Sequence, residues 1–345
     1  MQAVILAAGK STRTYPLTLT KPKPLLKVAN KTLLEHHLEN LRHYVSEVII
    51  VVGYKKELIK KYIGNNYKNL KIRYVTQKQQ LGTAHAISIL ESYIKDRFIL
   101  LMGDDIYPEE DIRSCINHRY SILISKAINP QNFGVVVEEN GILIDFVEKP
   151  KKSVSNMVSA AFYLLDKKIF SCIEKIKKSK RNEFELPDAV RLLSKEEKIR
   201  CIKSKKWIPI GYPWDLLKAD RTLRGNKNII GKNSKIYGNV KDSSIGNNCI
   251  INGYVKNSII MDSTSIGTNS IVEDSVIGEN VNFQGKILAE NNVFSAVKNE
   301  KINVGRLGAI IADNVNAKNV IVNPGCKIWP GKLISNKIIS HDLMR

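Results

Sequence analysis

A short apolar strand that runs into a glycine-containing, cation-rich loop is the first stretch of the chain that could do chemistry. Residues 3–6 are apolar, and two alanines and Gly9 follow them. The cations of the loop are Lys10, Arg13, Lys21 and Lys23. A strand that ends in a small-residue turn exposes backbone N–H groups, and with fixed cations these can bind phosphate. Taken alone, the stretch is either such a cradle, stiffened by its prolines, or a surface turn with solvated lysines. It is neither the dinucleotide fingerprint nor the P-loop, whose further glycines are missing.

Two other strand ends carry side chains suited to a nucleobase and a metal ion. Residues 77–85 read QKQQLGTAH, and the amide of Gln77 complements the carbonyl and ring N–H of a pyrimidine. The alternative is an ordinary strand-to-helix turn with Thr83 as N-cap. Asp104 follows the apolar run 98–102, and Mg²⁺ prefers one or two carboxylates plus substrate phosphates. Asp105 is expected to cap the segment that follows.

Alternating helix and strand patterns place these residues. The expected order is helix 33–44, strand 48–52, helix 56–64, strand 72–75, helix 83–94 and strand 98–102. Such alternation predicts an α/β fold, a Rossmann-like, doubly wound and mostly parallel sheet. Ligands of such sheets lie beyond the carboxyl ends of the strands, which is where Gly9 and Asp104 fall.

Composition narrows the class of partner. The 345 residues suffice for two domains, and the formal charge of +21 favours anionic partners. No nucleic-acid recognition motif is present and the lysines are scattered, so a phosphorylated substrate is expected rather than nucleic acid. Five cysteines without a C-x-x-C pair predict neither disulfides nor zinc and favour a reducing cytoplasm. No apolar run is long enough to cross a bilayer, so no membrane partner is expected.

After residue 228 the pattern changes to short aliphatic repeats. Isoleucines recur mostly at six-residue steps, among Asn-rich turns: Ile230, Ile236, Ile245, Ile251, Ile260, Ile266, Ile271 and Ile277, followed by Phe283. This period predicts a solenoid that buries its core by stacking coils and fits a β-sandwich poorly.

The first loop resembles the signature of the sugar-1-phosphate nucleotidyltransferases, L-A-A-G-x-G-T-R-x-x-P-L-T-x-x-x-P-K-P-L-L. The resemblance implies that Leu6, Ala7, Ala8 and Gly9 wrap a nucleoside triphosphate. It also implies that Arg13 steadies the leaving pyrophosphate, that Lys23 sits on the α-phosphate, and that Mg²⁺ binds Asp104. Ser11 stands where the pattern has its second glycine.

Two further motifs carry the same resemblance. Residues 77–85 match Q-x-x-Q-L-G-T-x-H, which implies that Gln77, Gln80, Gly82 and Thr83 bind the base and that the base is uracil or thymine. On the sugar side, the stretch around Gly134 and the run FVEKP imply sugar-phosphate binding. The residues concerned are Gly134, Glu148, Lys149 and Ser159.

Three positions depart from the family pattern. Ser159 replaces a sugar-binding asparagine and Ala161 a glycine. Residues 207–215, WIPIGYPWD, match W-x-D-V-G-x-P-x-D, but Pro209 stands where a second metal-binding aspartate is expected. The metal would then keep Asp104, phosphates and water. A regulatory paralogue that binds nucleotide is therefore the alternative to a working transferase.

The repeats resemble the left-handed parallel β-helix of hexapeptide-repeat proteins, which in bifunctional relatives is an acetyltransferase. Thr268 stands at the position of the catalytic histidine and Ile271 at a neighbouring tyrosine, while Asn291 is kept. We therefore expect a non-acetylating β-helix that assembles a homo-oligomer, with a trimer favoured. The predicted domains are 1–222 and 229–345, and the predicted reaction joins a sugar 1-phosphate to dTTP or UTP with release of pyrophosphate.

Overall fold

The computed structural model describes residues 1–152, 154–298 and 300–344. The described residues form two compact units. One contains Met1–Lys10 and Leu34–Pro209, and the other contains Ser11–Leu33 together with the described residues from Ile210 onward.

The strands before residue 204 are β1 (Gln2–Ala7), β2 (Lys27–Val28), β3 (Lys31–Thr32), β4 (Glu47–Val52), β5 (Asn66–Tyr67), β6 (Leu70–Thr76), β7 (Phe98–Met102), β8 (Ser121–Lys126), β9 (Gly134–Glu139), β10 (Ile142–Glu148), β11 (Met157–Leu165) and β12 (Arg200–Lys203). The helices are α1 (Leu33–Leu41), α2 (Lys56–Ile63), α3 (Thr83–Ser88), α4 (Glu109–Ile116), α5 (Lys168–Lys175), α6 (Leu186–Glu196) and α7 (Asp215–Arg224).

The first unit is built on one sheet with the order β5-β6-β4-β1-β7-β11-β8-β12-β10-β9. Strands β6, β4, β1 and β7 run parallel, and every residue of β1 and β4 is buried. Continuous apolar runs of this kind are what a parallel sheet covered on both faces requires. The predicted α/β fold is thus confirmed, with antiparallel β11 joining the parallel strands to the rest of the sheet.

The predicted elements of this unit form, but two helices are shorter than predicted. Helix α1 ends at Leu41, earlier than the predicted 44. Helix α3 ends at Ser88, earlier than the predicted 94. The predicted caps at Thr83 and Asp105 are wrong: Gly82 precedes α3 as its cap, and α4 begins after Pro108.

The second unit contains α7 and a parallel β-helix. Its strands are β13 (Ile229–Ile230), β14 (Lys235–Ile236), β15 (Asn239–Lys241), β16 (Ser244–Ile245), β17 (Ile250–Ile251), β18 (Tyr254–Lys256), β19 (Ile259–Ile260), β20 (Ser265–Ile266), β21 (Ile271–Glu273), β22 (Val276–Ile277), β23 (Asn282–Ile287), β24 (Glu290–Val297), β25 (Glu300–Leu307), β26 (Ile310–Ile311), β27 (Asn316–Val322), β28 (Lys327–Ile328) and β29 (Leu333–Ile339).

Successive coils of the left-handed β-helix stack in register. One face has the order β13-β16-β19-β22-β26-β28, and its inward column of Ile245, Ile260, Ile277, Ile311 and Ile328 is fully buried. Turn asparagines such as Asn233, Asn248 and Asn280 adopt positive φ, which asparagine tolerates better than most residues. The six-step prediction is confirmed, except that Ile230 in the first coil is 42% exposed and Val272, rather than Ile271, points inward. Strands β24 and β25 form an antiparallel hairpin inserted between β23 and β26.

Candidate functional site

The carboxyl ends of β1 and β7 meet at one edge of the sheet. Leu6 pairs with Met102, and the N–H of Gly103 donates to the carbonyl of Leu6 at 2.9 Å. A Cβ at position 103 would lie 3.1 Å from that carbonyl oxygen, so the glycine allows the two strand ends to approach closely. The structure thereby brings Asp104 to the loop formed by Ala7, Ala8 and Gly9, as the sequence predicts.

The predicted base-binding segment is tied to the same loop. The side-chain amide of Gln80 donates from Nε2 to the carbonyl of Ala8 at 2.8 Å. Gly82 has φ 104°, and a Cβ there would lie 2.4 Å from the carbonyl oxygen of Phe184, so a side chain at position 82 would clash. The hydroxyl of Thr83 accepts from the N–H of Leu186 at 3.1 Å, which pins the start of α6.

Two neighbours orient the buried amide of Gln77. Its Nε2 lies 3.3 Å from the carbonyl oxygen of Gly82 and 3.1 Å from Nδ1 of His85. Because a carbonyl only accepts, the NH₂ group must face Gly82, and Nδ1 of His85 then accepts from the same group. This arrangement leaves the carbonyl Oε1 of Gln77 to accept from a ligand. Sequence reasoning missed this role of His85, although the residue lies within the quoted motif.

Three of the four predicted sugar-binding residues lie on adjacent strands, and the fourth, Lys149, directly follows β10. Glu148 at the end of β10 pairs with Gly134 at the start of β9, and β11 joins β9 through Val158, next to Ser159. The Oγ of Ser159 lies 3.1 Å from the hydroxyl of Tyr163. Lys149, at φ 44°, places Nζ 3.6 Å from Oε1 of Glu148.

Arg181 is a neighbour of this cluster that sequence reasoning did not single out. Its Nη1 lies 3.4 Å from Oε1 of Glu148, and its guanidinium also pairs with Glu183 and Glu185. Burial raises the pKa of Glu185, while Ser179 and Arg181 act in the opposite sense. Arg181 lies two residues before the stretch E-F-E-L-P-D, which resembles the family's E-Y-x-L-T-D, and its closeness to the acidic residues of that stretch is the signal in the sequence.

The half-buried side chain of Asp104 lies at this edge of the sheet. Its neighbour Asp105 accepts from Nε1 of Trp207 at 3.1 Å. An antiparallel bridge between Ile106 and Ile208 brings the Pro209 segment alongside residues 104–106, as the motif alignment requires. In the described parts of the chain, no three His, Cys, Asp or Glu side chains form a metal-binding group. A single carboxylate beside a phosphate cradle still fits Mg²⁺, which takes its remaining ligands from substrate phosphates and water.

Arg13 and Lys23 lie in the second unit, against the segment that follows Pro209. The exposed guanidinium of Arg13 lies 5.7 Å from the ring centroid of Tyr212, and that ring stacks on Trp214. The ammonium of the buried Lys23 donates to the carbonyl of Ile210. Both cations therefore lie next to this segment.

Asp215 organises the same segment. Its Oδ2 accepts from the N–H groups of Gly211 and Tyr212, both at 2.8 Å. Burial raises the pKa of Asp215, and the two N–H groups together with Lys23 act in the opposite sense. Lys21 differs from the other loop cations, because it pairs with Glu279 at 2.6 Å and Asp313 at 3.0 Å.

The backbone explains why the family pattern has glycine at two positions where this chain does not. Ser11 has φ 50° and Ala161 has φ 52°, a left-handed conformation that glycine adopts without the steric cost of a Cβ. Both departures thus keep the expected backbone at some cost in strain. Pro209 is different, because it removes a possible ligand oxygen altogether.

Comparison with known proteins supports the resemblance to the sugar-1-phosphate nucleotidyltransferases. The family model described as nucleotidyl transferase matches residues 2–226, and one described as GMPPB C-terminal domain matches residues 220–344. A bifunctional protein GlmU of Methanococcus maripaludis is 35% identical, with 99% of this chain and 95% of the relative covered. The alignment spans 400 positions, more than the 345 residues of this chain, so the relative has residues without a counterpart here.

Two further comparisons each cover about two thirds of this chain. The UTP–glucose-1-phosphate uridylyltransferase AglF of Haloferax volcanii is 34% identical over 65% of this chain and 97% of its own length. A crystal structure of a putative glucose-1-phosphate thymidylyltransferase from Bacillus anthracis matches with a TM-score of 0.59 and 26% identity, over 66% of this chain and 97% of that one. No helix in the described ranges is long and apolar enough to cross a membrane. Taken with the strand-end loop and its motifs, these matches show that the chain belongs to the nucleotidyl transferase family and is a sugar-1-phosphate nucleotidyltransferase.

Proposed function

We propose that the chain transfers the nucleotidyl group of UTP or dTTP to a sugar 1-phosphate and releases pyrophosphate. The orientation of Gln77 carries the choice of base. With NH₂ held by Gly82 and His85, its Oε1 can accept from the N3–H of uracil or thymine. The names of the Haloferax and Bacillus relatives, a uridylyltransferase and a thymidylyltransferase, support a pyrimidine.

The reaction needs positioning and charge neutralisation rather than a covalent nucleophile. An oxygen of the sugar phosphate attacks the α-phosphorus, a new P–O bond forms, and the bond to the β-phosphate oxygen breaks as pyrophosphate leaves. We assign Lys23 to the α-phosphate and Arg13 to the departing pyrophosphate. Lys149 holds the sugar phosphate and Glu148 accepts from sugar hydroxyls, with Arg181 orienting that carboxylate.

Asp104 is the residue that would hold Mg²⁺. The ion supplies positive charge that neutralises phosphate oxygens during transfer. With Pro209 in place of a second carboxylate, we propose that the protein contributes one carboxylate and that phosphate and water complete the site.

A matrix assay of pyrophosphate release tests the proposal. UTP, dTTP, CTP, GTP and ATP would each be paired with glucose 1-phosphate, N-acetylglucosamine 1-phosphate and other sugar 1-phosphates. We expect UTP or dTTP to give the highest kcat/KM. Cytosine and adenine lack a ring N–H from which Oε1 of Gln77 could accept, and guanine carries its N1–H farther from the ribose than uracil carries its N3–H. A preference for GTP or ATP would overturn the base assignment.

We propose that the β-helix assembles subunits and does not transfer acetyl groups. Thr268 offers no base at the position where the relatives' pattern has histidine. Apolar side chains exposed on the β-helix, such as Leu333 at 83% and Ile338 at 67%, support a subunit contact, with a trimer favoured. The name of the Methanococcus relative, a bifunctional protein, makes acetyl-CoA the direct test. Acetyl transfer to an amino sugar phosphate, or a monomer in light scattering, would contradict this assignment.

A further inference from the structure

An acidic column on one corner of the β-helix holds the loop that carries Arg13 and Lys23. The column consists of Asp262, Glu279 and Asp313, each of which lies two residues beyond the end of its strand in successive coils, after β19, β22 and β26. We propose that these three carboxylates are positioning residues for nucleotidyl transfer. The proposal rests on the assignment of Arg13 and Lys23 to the phosphates, and it adds a role for the β-helix in that step.

Two carboxylates of the column are held by the backbone of the β-helix as well as by the loop. One oxygen of each aspartate accepts from the backbone of the preceding coil. Asp262 Oδ1 accepts from the N–H of Asn247 at 3.0 Å, and Asp313 Oδ1 accepts from that of Glu279 at 2.8 Å. The second oxygen of each aspartate is thereby aimed outward, towards residues of the loop. Fixed acceptors of this kind bind a cation without first having to be ordered.

The loop meets the column through two buried lysines and a threonine. Lys21 reaches Glu279 at 2.6 Å and Asp313 at 3.0 Å, and Lys27 reaches Asp262 at 2.6 Å. The hydroxyl of Thr20 donates to Oδ2 of Asp313 at 2.6 Å. Because Lys21 is only 8% exposed and Lys27 only 7% exposed, neither ammonium can reach a phosphate without leaving its carboxylates unpaired.

The pKa of Asp262 agrees with the geometry of its pair with Lys27. Burial alone would raise the pKa of Asp262, but the hydrogen bonds from Lys27 and from the backbone of Asn247 lower it below its ordinary value. A half-buried carboxylate of this kind stays ionised because its partners are in place. Breaking either pair leaves a charge inside the interface between loop and β-helix, which is costly.

The restraint passes from the column to the functional cations along short paths. Lys21 is two residues before Lys23, so only two peptide units separate them. A displacement of Lys21 therefore also displaces Lys23. The hydroxyl of Thr18 donates to the carbonyl of Ser11 at 3.0 Å, which links the segment next to Thr20 to the stretch that carries Arg13. A displacement of about 1 Å at a reacting centre can cost about 10²-fold in rate.

The test is the double variant Asp262→Asn/Asp313→Asn, which keeps side-chain shape but removes both negative charges. Asp342→Asn is the matched control, since Asp342 pairs with Lys327 at 2.6 Å elsewhere in the β-helix. We would measure kcat and KM for UTP, the melting temperature, and the rate of tryptic cleavage after Arg13, which is exposed.

We expect the double variant to lose at least about tenfold in kcat/KM for the triphosphate and to be cleaved faster after Arg13, at temperatures where it is fully folded. The control should lower the melting temperature and leave kcat/KM within about twofold. The charge exchange Lys27→Asp/Asp262→Lys should recover part of the kcat/KM that Asp262→Asn alone loses.

Unchanged kcat/KM in the folded double variant would overturn the proposal. An equal loss in the Asp342→Asn control would also overturn it, because the effect would then be general destabilisation of the β-helix. The proteolysis measurement separates this proposal from the assignment of the phosphate ligands. If cleavage after Arg13 accelerates while turnover stays at the wild-type level, the column holds the loop but the loop does not serve transfer.

Discussion

Replacing His85 by leucine should weaken the choice between uracil and cytosine. Uracil presents a donor at N3, whereas cytosine presents an acceptor there, so an amide that turned over would favour the wrong base. In the structure, His85 Nδ1 at 3.1 Å and the carbonyl of Gly82 at 3.3 Å both face the NH₂ group of Gln77. Leucine removes the first of these acceptors and keeps comparable bulk.

The size of the effect follows from what remains. The Gly82 carbonyl still opposes an inverted amide, so the loss is one neutral hydrogen bond rather than free rotation. Such a bond contributes about 1 kcal/mol, which is about fivefold in a ratio of rate constants. We therefore expect the ratio of kcat/KM for UTP to that for CTP to fall about fivefold. KM for UTP should rise more than kcat falls, because the base lies away from the reacting phosphorus.

The assay is pyrophosphate release with each triphosphate at a saturating concentration of the best sugar 1-phosphate. His85→Asn is the control, since its carbonyl can replace the acceptor at Nδ1 and should restore most of the selectivity. An unchanged ratio of kcat/KM for UTP to that for CTP in His85→Leu would refute the reasoning. Equal losses of selectivity in the leucine and asparagine variants would also refute it, because they would indicate that the packing of the ring matters and its acceptor does not.

Three other substitutions test separate parts of the site. Lys23→Ala should reduce kcat by about 10² or more with the fold intact by circular dichroism, because it removes a preorganised charge from the α-phosphate; near-wild-type turnover would contradict the assignment. Pro209→Asp should lower the Mg²⁺ concentration needed for half-maximal activity, since it adds a carboxylate beside Asp104. Pro209→Asn controls for release of the proline restraint. Identical Mg²⁺ titrations of Pro209→Asp and Pro209→Asn would show that the alignment of this segment is wrong. Ala161→Gly should raise the free energy of unfolding by about 0.5 kcal/mol. It removes about 1 kcal/mol of strain at φ 52°, and the greater freedom of glycine in the unfolded chain offsets part of that gain. A lower midpoint in urea denaturation would contradict this prediction.

Much of the first unit was predictable from the sequence, because its signals are local. A run of apolar residues or a three-to-four-residue spacing reports which faces are buried, and the carboxyl ends of parallel strands must share an edge. These two rules suffice to bring Gly9, Gln77 and Asp104 towards one place. The hexapeptide period reports the β-helix for the same reason, since each coil repeats one local pattern.

The roles of individual polar side chains depended on contacts that form only in the folded chain. His85 and Arg181 lie within or beside recognised motifs, but only the fold shows that one faces Gln77 and the other faces Glu148. The left-handed backbone at Ser11 likewise explains why the family pattern has glycine at this position. The sequence alone shows only that the residue differs.

The lysines of the first loop show the division most clearly. Lys21 and Lys23 are two residues apart and look equivalent in the sequence, where both belong to a phosphate cradle. Their partners decide otherwise: Lys21 pairs with Glu279 and Asp313, while Lys23 bonds to the carbonyl of Ile210. The sequence alone determined that cations would gather in this loop, because composition and spacing are local properties. Only the tertiary structure decided which cation pairs with the β-helix, because the carboxylates that claim it are more than 200 residues away along the chain and become its neighbours only when the coils stack.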